Sequence, residues 1–239
     1  LFTCSILDMI MKNKIKIIST ICFITLVSNN SYAKSYIDDE INPILLTQPI
    51  KRDSLEFKEE VLQIIEMQKT SDNLEVKKAK NESKMRVELM TLDIDEKLTE
   101  KNFPKTYRLL QNVLDSSRKN SAKAKNYYNT KRPYLENKKI KALVITSLSA
   151  SYPSGHTCGS YVLANILNLL IPEKRQDFYK RAEEIAMHRV LSGMHYPHDI
   201  KGGKELAFLV TGALLENEEF KKDFAIAKKE LSKFYNLTK

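Results

Sequence analysis

Ser151-Tyr152-Pro153-Ser154-Gly155-His156-Thr157 runs directly into an apolar, helix-like stretch that continues to Leu170. Pro153 disfavours helix in the residue before it. Ser154 is a good N-cap, and Gly155 lets backbone come close to a ligand. The stretch therefore predicts a loop feeding a helix N-terminus. Unpaired N–H groups and the positive end of the helix dipole at such a place attract phosphate or another anion. His156 then stands beside that anion, able to give or take a proton near neutral pH. Alone, the same residues also describe an ordinary capped helix with a surface histidine. The segments on either side decide between the two.

Upstream, Ser121 to Arg132 reads as a short helix ending at Pro133. Lys125 and Arg132 are seven residues apart, about two turns, which predicts both on one helix face. Two cations so placed can grip a doubly charged phosphate, although lysine is common throughout this chain. Downstream, Gln176 to Leu191 predicts a helix that buries Phe178, Ala182, Ile185 and Ala186, carries Arg189 in its last turn and is closed by Gly193. Met194-His195-Tyr196-Pro197-His198-Asp199 then opens a final pair of helices through Leu215 and Phe234. A carboxylate four residues beyond His195 can hold one ring nitrogen protonated and leave the other as base or nucleophile. Two other readings stay open here: a zinc site built from His188, His195 and His198, which lacks a ligand pattern such as H-E-x-x-H, or simple helix capping by Asp199.

Elsewhere, Ser54 to Lys69 predicts a helix with Phe57, Val61, Ile64 and Ile65 on one face, capped by Asp53 or Ser54. Tyr107, Leu110, Val113 and Leu114 mark a second amphipathic helix after Pro104, whereas Asn73 to Met90 is more polar and weakly periodic. Leu143-Val144-Ile145 resembles a short strand but has no partner, and is read as part of a long loop leading to Ser151. With 239 residues, 42% hydrophobic, the chain suffices for one core and is short for two. No internal repeat or Gly/Ser linker divides it.

The beginning of the chain carries a different signal. Lys12, Lys14 and Lys16 after Met11 form a basic region, Ile17 to Val27 is mostly apolar, and Ser31-Tyr32-Ala33 offers small residues for cleavage. This is the layout of a secretory signal peptide, with Leu1 to Ile10 as upstream sequence. The apolar run falls short of the roughly 20 residues a spanning helix needs. Residues 1–33 are thus expected to be upstream residues plus signal peptide, and 34–239 a single domain, periplasmic or secreted. Removal of 1–33 takes two units from the +9 formal charge, leaving +7, and leaves Cys158 as the lone cysteine, expected to be a small buried helix residue.

Taken together, Lys125 to Arg132-Pro133, Pro153-Ser154-Gly155-His156, and Arg189 with His195 and Asp199 resemble the three-part signature of the phosphatidic-acid phosphatase type 2 superfamily: K-x6-R-P, P-S-G-H and S-R-x5-H-x3-D. Ser151-Tyr152, Thr157, the signal peptide and the stretch from Leu98 to Tyr128 are similar to the bacterial class A non-specific acid phosphatases. Two positions depart from the pattern. His188 stands where the motif has serine, and Ala150 where class A members commonly have glycine.

The resemblance implies an all-α fold, a compact helical bundle with few or no strands and a phosphate pocket between helices. It implies an exported acid phosphatase that hydrolyses small phosphomonoesters through a phosphohistidine, with no cofactor and no metal. His195 would be the nucleophile, Asp199 its orienting partner and His156 the acid. Lys125, Arg132, Ser154, Gly155 and Arg189 would hold phosphate oxygens, with His188 tuning that pocket in place of the motif serine. Inorganic phosphate or vanadate would inhibit, and a homo-oligomer is left open. The rivals are a lipid phosphate phosphatase, which has spanning helices, a vanadate-binding haloperoxidase, usually a much larger chain, and a basic polyanion-binding envelope protein. No aromatic-basic signature points to a stable nucleic-acid partner.

Overall fold

The apolar run that follows Gly155 becomes the axis of the bundle. The structure is a computed structural model that describes residues 34–38 and 41–235; the signal-peptide reading falls on residues 1–33, outside the described residues. The longer helices are α1 (Leu55–Thr70), α2 (Asn73–Asn81), α3 (Pro104–Tyr128), α4 (Gly155–Leu170), α5 (Arg175–Leu191), α6 (Pro197–Glu216) and α7 (Glu218–Leu231). Single turns at Pro43–Leu45, Val87–Met90, Pro133–Glu136 and Pro172–Lys174 punctuate the connections. Among the described residues there is no strand, so the fold is all-α; the 142–149 stretch is irregular.

α4 is apolar on nearly every side, as a central helix must be. Val162, Leu163, Ile166, Leu167 and Leu170 are all fully buried, against α3, α5 and α6. Burying each such side chain is worth roughly 1.5–3 kcal/mol. α7 closes the far side by packing on α3. α1 lies at the edge, where Phe57, Val61, Ile64 and Ile65 join a smaller apolar cluster with Ile140, Ala186, Val190, Tyr196 and Ile200. The Ser54 side chain caps α1 by accepting from Phe57 N, 3.1 Å away.

α3 does two further things. Asn112, Ser116 and Asn120 recur every four residues along one face and hold an extended segment, accepting from the backbone N–H groups of Lys34, Tyr36 and Ile41. The helix is also longer and ends earlier than the sequence predicts. What reads as two helices, around Tyr107 and from Ser121 to Arg132, is one helix that stops at Tyr128. Asn129 takes a left-handed conformation with φ 46°, which asparagine tolerates better than most residues. Arg132 therefore lies beyond the helix, in extended backbone, and shares no helix face with Lys125. The two cations converge because the chain turns between them.

Candidate active site

Two helix N-termini meet where α4 and α6 begin. Ser154 caps α4, its Oγ accepting from Thr157 N at 3.3 Å and from Thr157 Oγ1 at 2.9 Å. Its own N–H donates to Asp199 O on α6 at 2.9 Å, which bolts one N-terminus to the other. Gly203 permits this approach, since a methyl group there would lie 2.7 Å from Ser154 O.

Asp199 sits in the first turn of α6, fully buried. Its Oδ2 accepts from Tyr196 N at 2.9 Å, from Ser151 Oγ at 2.5 Å and from His195 Nδ1 at 3.2 Å. The helix-capping reading and the histidine-partner reading of Asp199 are both realised by one oxygen. Burial alone would raise its pKa, yet the His195 hydrogen bond, the neighbouring His195 and His198 and the Ser151 hydroxyl bring it below the ordinary value. With Nδ1–H committed to Asp199, His195 presents Nε2 as an acceptor, and Arg132 Nη1 donates to it at 3.2 Å. Burial, with Lys125 and Arg132 nearby, holds His195 well below its ordinary pKa despite the Asp199 hydrogen bond. That depression favours the neutral ring, which lines the cavity with Nε2 facing Arg132.

That cavity, about 370 Å³, is lined by Lys125, Arg132, Gly155, His156, Arg189 and His195, with Ser83, Lys84 and the 145–149 loop as walls. Three of its four cations, Lys125, Arg132 and Arg189, are buried, and Lys84 is exposed. Lys125 Nζ donates to Ala150 O and Ser151 O at 2.6 and 2.8 Å. Arg132 donates to Ser149 O, Ala150 O and Met194 O, so the two side chains also hold the loop before the Ser151 stretch. Arg189 is different: its Nε and Nη1 are buried and have no hydrogen-bond partner. Burial depresses all three, and neighbouring cations add to the effect at Lys125, brought to about 7, and at Arg189, brought to about 10. A site that holds three buried cations with one committed carboxylate is short of negative charge.

His156, in the first turn of α4, opens partly onto the cavity. Its Nε2 donates to the backbone carbonyls of Glu82 and Ser83, 3.1 and 3.2 Å away, just beyond α2. Carbonyls only accept, so Nε2 carries a proton and Nδ1 is the nitrogen left for chemistry. Desolvation and the charge of Arg189 hold this ring well below its ordinary pKa, against the pull of the two carbonyls.

The structure brings together Lys125, Arg132, Gly155, His156, Arg189, His195 and Asp199. It places Ser154 beneath them as a cap, outside the cavity lining. His188 also lies outside that lining. Its Nδ1 faces Glu82 Oε2 at 2.6 Å and its Nε2 faces Glu75 Oε2 at 2.9 Å. The three histidines of the zinc reading do not converge on one point: His188 reaches Glu75 and Glu82, His195 reaches Asp199 through Nδ1, and His198 reaches Glu60 at 2.5 Å through Nδ1, with its Nε2 3.5 Å from the other Asp199 oxygen. Cys158 is a free, buried helix residue whose thiol burial pushes up to about 12. Sequence reasoning missed the Ser151 hydroxyl on Asp199 and the Glu82–Ser83 carbonyls on His156. Ser151 adjoins the motif and was within reach; a backbone carbonyl leaves no mark in sequence.

Residues 109–221 match the PAP2 superfamily. The likeness is to a PAP2 superfamily domain over just under half of this chain. The PAP2 match runs from within α3 to within α7 and contains the three buried cations and both histidines of the cavity. The chain is 31% identical over 153 residues to a non-specific acid phosphatase of Salmonella typhi, covering 59% of this chain and 58% of that protein. It is 31% identical over 141 residues to a non-specific acid phosphatase of Providencia stuartii, 57% of each. An acid phosphatase of Zymomonas mobilis is 30% identical over 148 residues, 60% of this chain and 54% of the relative. The chain thus spans little more than half the length of the curated relatives it matches. Among solved structures, a bacterial vanadium-dependent iodoperoxidase superposes with a TM-score of 0.56 at 16% identity, over 72% of this chain and 51% of that one. At that identity the likeness is one of fold. No helix among the described residues is long and apolar enough to cross a membrane.

Proposed function

We propose that this chain is an exported, broad-specificity acid phosphatase, with residues 34–239 as one catalytic domain and no metal in the reaction. The observation that carries the reading is Arg189, a buried guanidinium with unpartnered nitrogens beside Lys125 and Arg132. A phosphate dianion supplies the missing charge, and phosphoryl transfer depends mostly on such positioning and charge stabilisation. The names of the relatives agree with this chemistry.

In this reading His195 Nε2 attacks phosphorus and the ester oxygen leaves, giving a phosphohistidine; Asp199 holds Nδ1–H and offsets the charge on the ring. His156, protonated at both nitrogens, donates from Nδ1 to the departing oxygen. Water then attacks the phosphohistidine, releasing phosphate and restoring His195. Free His156 binds protons poorly because burial desolvates it and Arg189 and Lys125 repel its charge, and the arriving dianion offsets the repulsion and raises its proton affinity. An acidic working pH follows, since His156 must be charged while His195 stays neutral.

The test is phosphate release by the purified chain from alkyl and nitrophenyl phosphates between pH 4 and 8, with EDTA present. Turnover is expected in EDTA, with competitive inhibition by phosphate and vanadate, and rapid quench should place label on His195. Activity abolished by EDTA and restored by zinc would return the histidines to a metal reading. Peroxide-dependent halide oxidation with added vanadate, in place of phosphate release, would favour the haloperoxidase rival.

A further inference from the structure

α2 is nine residues long, polar, and buries only Ala79 among its own residues. Such a helix has little intrinsic stability, yet its C-terminal end supplies the two carbonyls that hold His156. Glu75 in its first turn and Glu82 just past its end are seven residues apart, two turns along one face. His188 on α5 reaches both carboxylates with its two ring nitrogens. Arg181, two turns before His188 on the same face of α5, takes the other oxygen of Glu82 at 2.7 Å.

We propose that His188 is a positioning residue for His156. By tying Glu75 and Glu82 to α5, it seats the end of α2 so that the Glu82 and Ser83 carbonyls fix Nε2 as the protonated nitrogen of His156 and leave Nδ1 for the leaving group. Its charge is absorbed by two carboxylates and not by the phosphate cavity. The exchange of a motif serine for histidine therefore changes how the acid is held, with phosphate grip left to Lys125, Arg132 and Arg189. The catalytic consequence rests on the reading of His156 as the general acid; the tautomer does not.

His188→Ser in the full chain tests this with three readouts. Long-range ¹⁵N–¹H spectra report the His156 tautomer, and the expected result is loss of the clean Nε2–H signature. Phosphorylation by an alkyl phosphate should fall about tenfold, a part of what general acid catalysis supplies, and by nitrophenyl phosphate less than about threefold. The inhibition constant of inorganic phosphate should stay unchanged. A retained Nε2–H signature, or equal loss for both esters with weaker phosphate inhibition, overturns the proposal. Glu75→Gln, at a half-exposed carboxylate outside the cavity, should show the same pattern at smaller amplitude if His188→Ser fails to fold; an unaltered tautomer and leaving-group dependence there also overturns it. If neither ester turns over even in the parent chain, the phosphatase reading fails while the tautomer comparison still decides this one.

Discussion

His195 and His156 face the same cavity but are held by opposite kinds of partner. His195 leans on the Asp199 carboxylate, four residues away in its own helical turn, with Arg132 against its free nitrogen. His156 leans on two neutral carbonyls more than seventy residues away. A carboxylate fixes a tautomer and also stabilises positive charge on the ring, which is what a nitrogen that forms a bond to phosphorus needs. Carbonyls fix a tautomer with partial charge only, so the ring stays a ready proton donor once charged. In the proposed mechanism these two environments give the two histidines different roles, as acid and base assignments separate in other active sites.

The largest effect should come from the charged side. His195→Ala removes the proposed nucleophile, and turnover of every ester should fall by about 10⁵-fold or more, the scale on which loss of a nucleophile is felt. Neither the leaving group nor the pH should rescue it. Steady-state rates with alkyl and nitrophenyl phosphates measure this, and a variant that kept a tenth of its activity would assign the attack elsewhere.

On the neutral side the loss should depend on the substrate. His156→Ala should cost alkyl phosphates about 10²–10⁴-fold in the phosphorylation step, the usual worth of a positioned acid, and nitrophenyl phosphate far less. Single-turnover rates isolate that step. Equal losses for both esters would erase the contrast between the two histidines.

The same contrast governs what could be read from sequence. His195, Asp199 and Arg189 lie within eleven residues, and their spacing maps onto one helix end and the turn that follows, so their placement around the cavity was legible. The central helix was legible too, because Ser154 caps it and its apolar run allows no other place than the core. Lys125 and Arg132 were found for an incomplete reason: their spacing matched a helix that in fact stops at Tyr128, and the left-handed Asn129 does the work of bringing them together. The acid side was half legible. His156 stands in the motif, but its support comes from carbonyls in a polar segment of weak periodicity. His188 was misplaced because position in a motif was taken for position in the cavity, and only packing reveals that its ring turns toward α2.

The smallest effect tests the latch on the neutral side through pH. His188 faces Glu75 and Glu82 from the α2 segment, with Lys78 paired to Glu75; Arg181, Glu184 and Arg189 lie on its own helix. Burial would lower the His188 pKa, but Glu82 and Glu75 outweigh it and raise it. The His188 and Lys78 hydrogen bonds lower Glu75, while in Glu82 burial is outweighed by His188 and Arg181. A raised histidine contributes stability that is whole below its unfolded value, about 6.5, and is lost as pH rises through the folded one. The depressed carboxylates contribute stability that is whole above their unfolded value, about 4.3, and is lost as pH falls through the folded ones. The latch is therefore complete between those limits and weakens on both sides. Because Glu75 is half exposed and screened, Glu75→Gln should lower the melting temperature by no more than about 2–4 °C within that window, the worth of 1 kcal/mol in a domain of this size. The gap between parent and variant should shrink toward pH 3 and toward pH 9. A gap that stayed flat across that range would mean His188 holds α2 by packing alone.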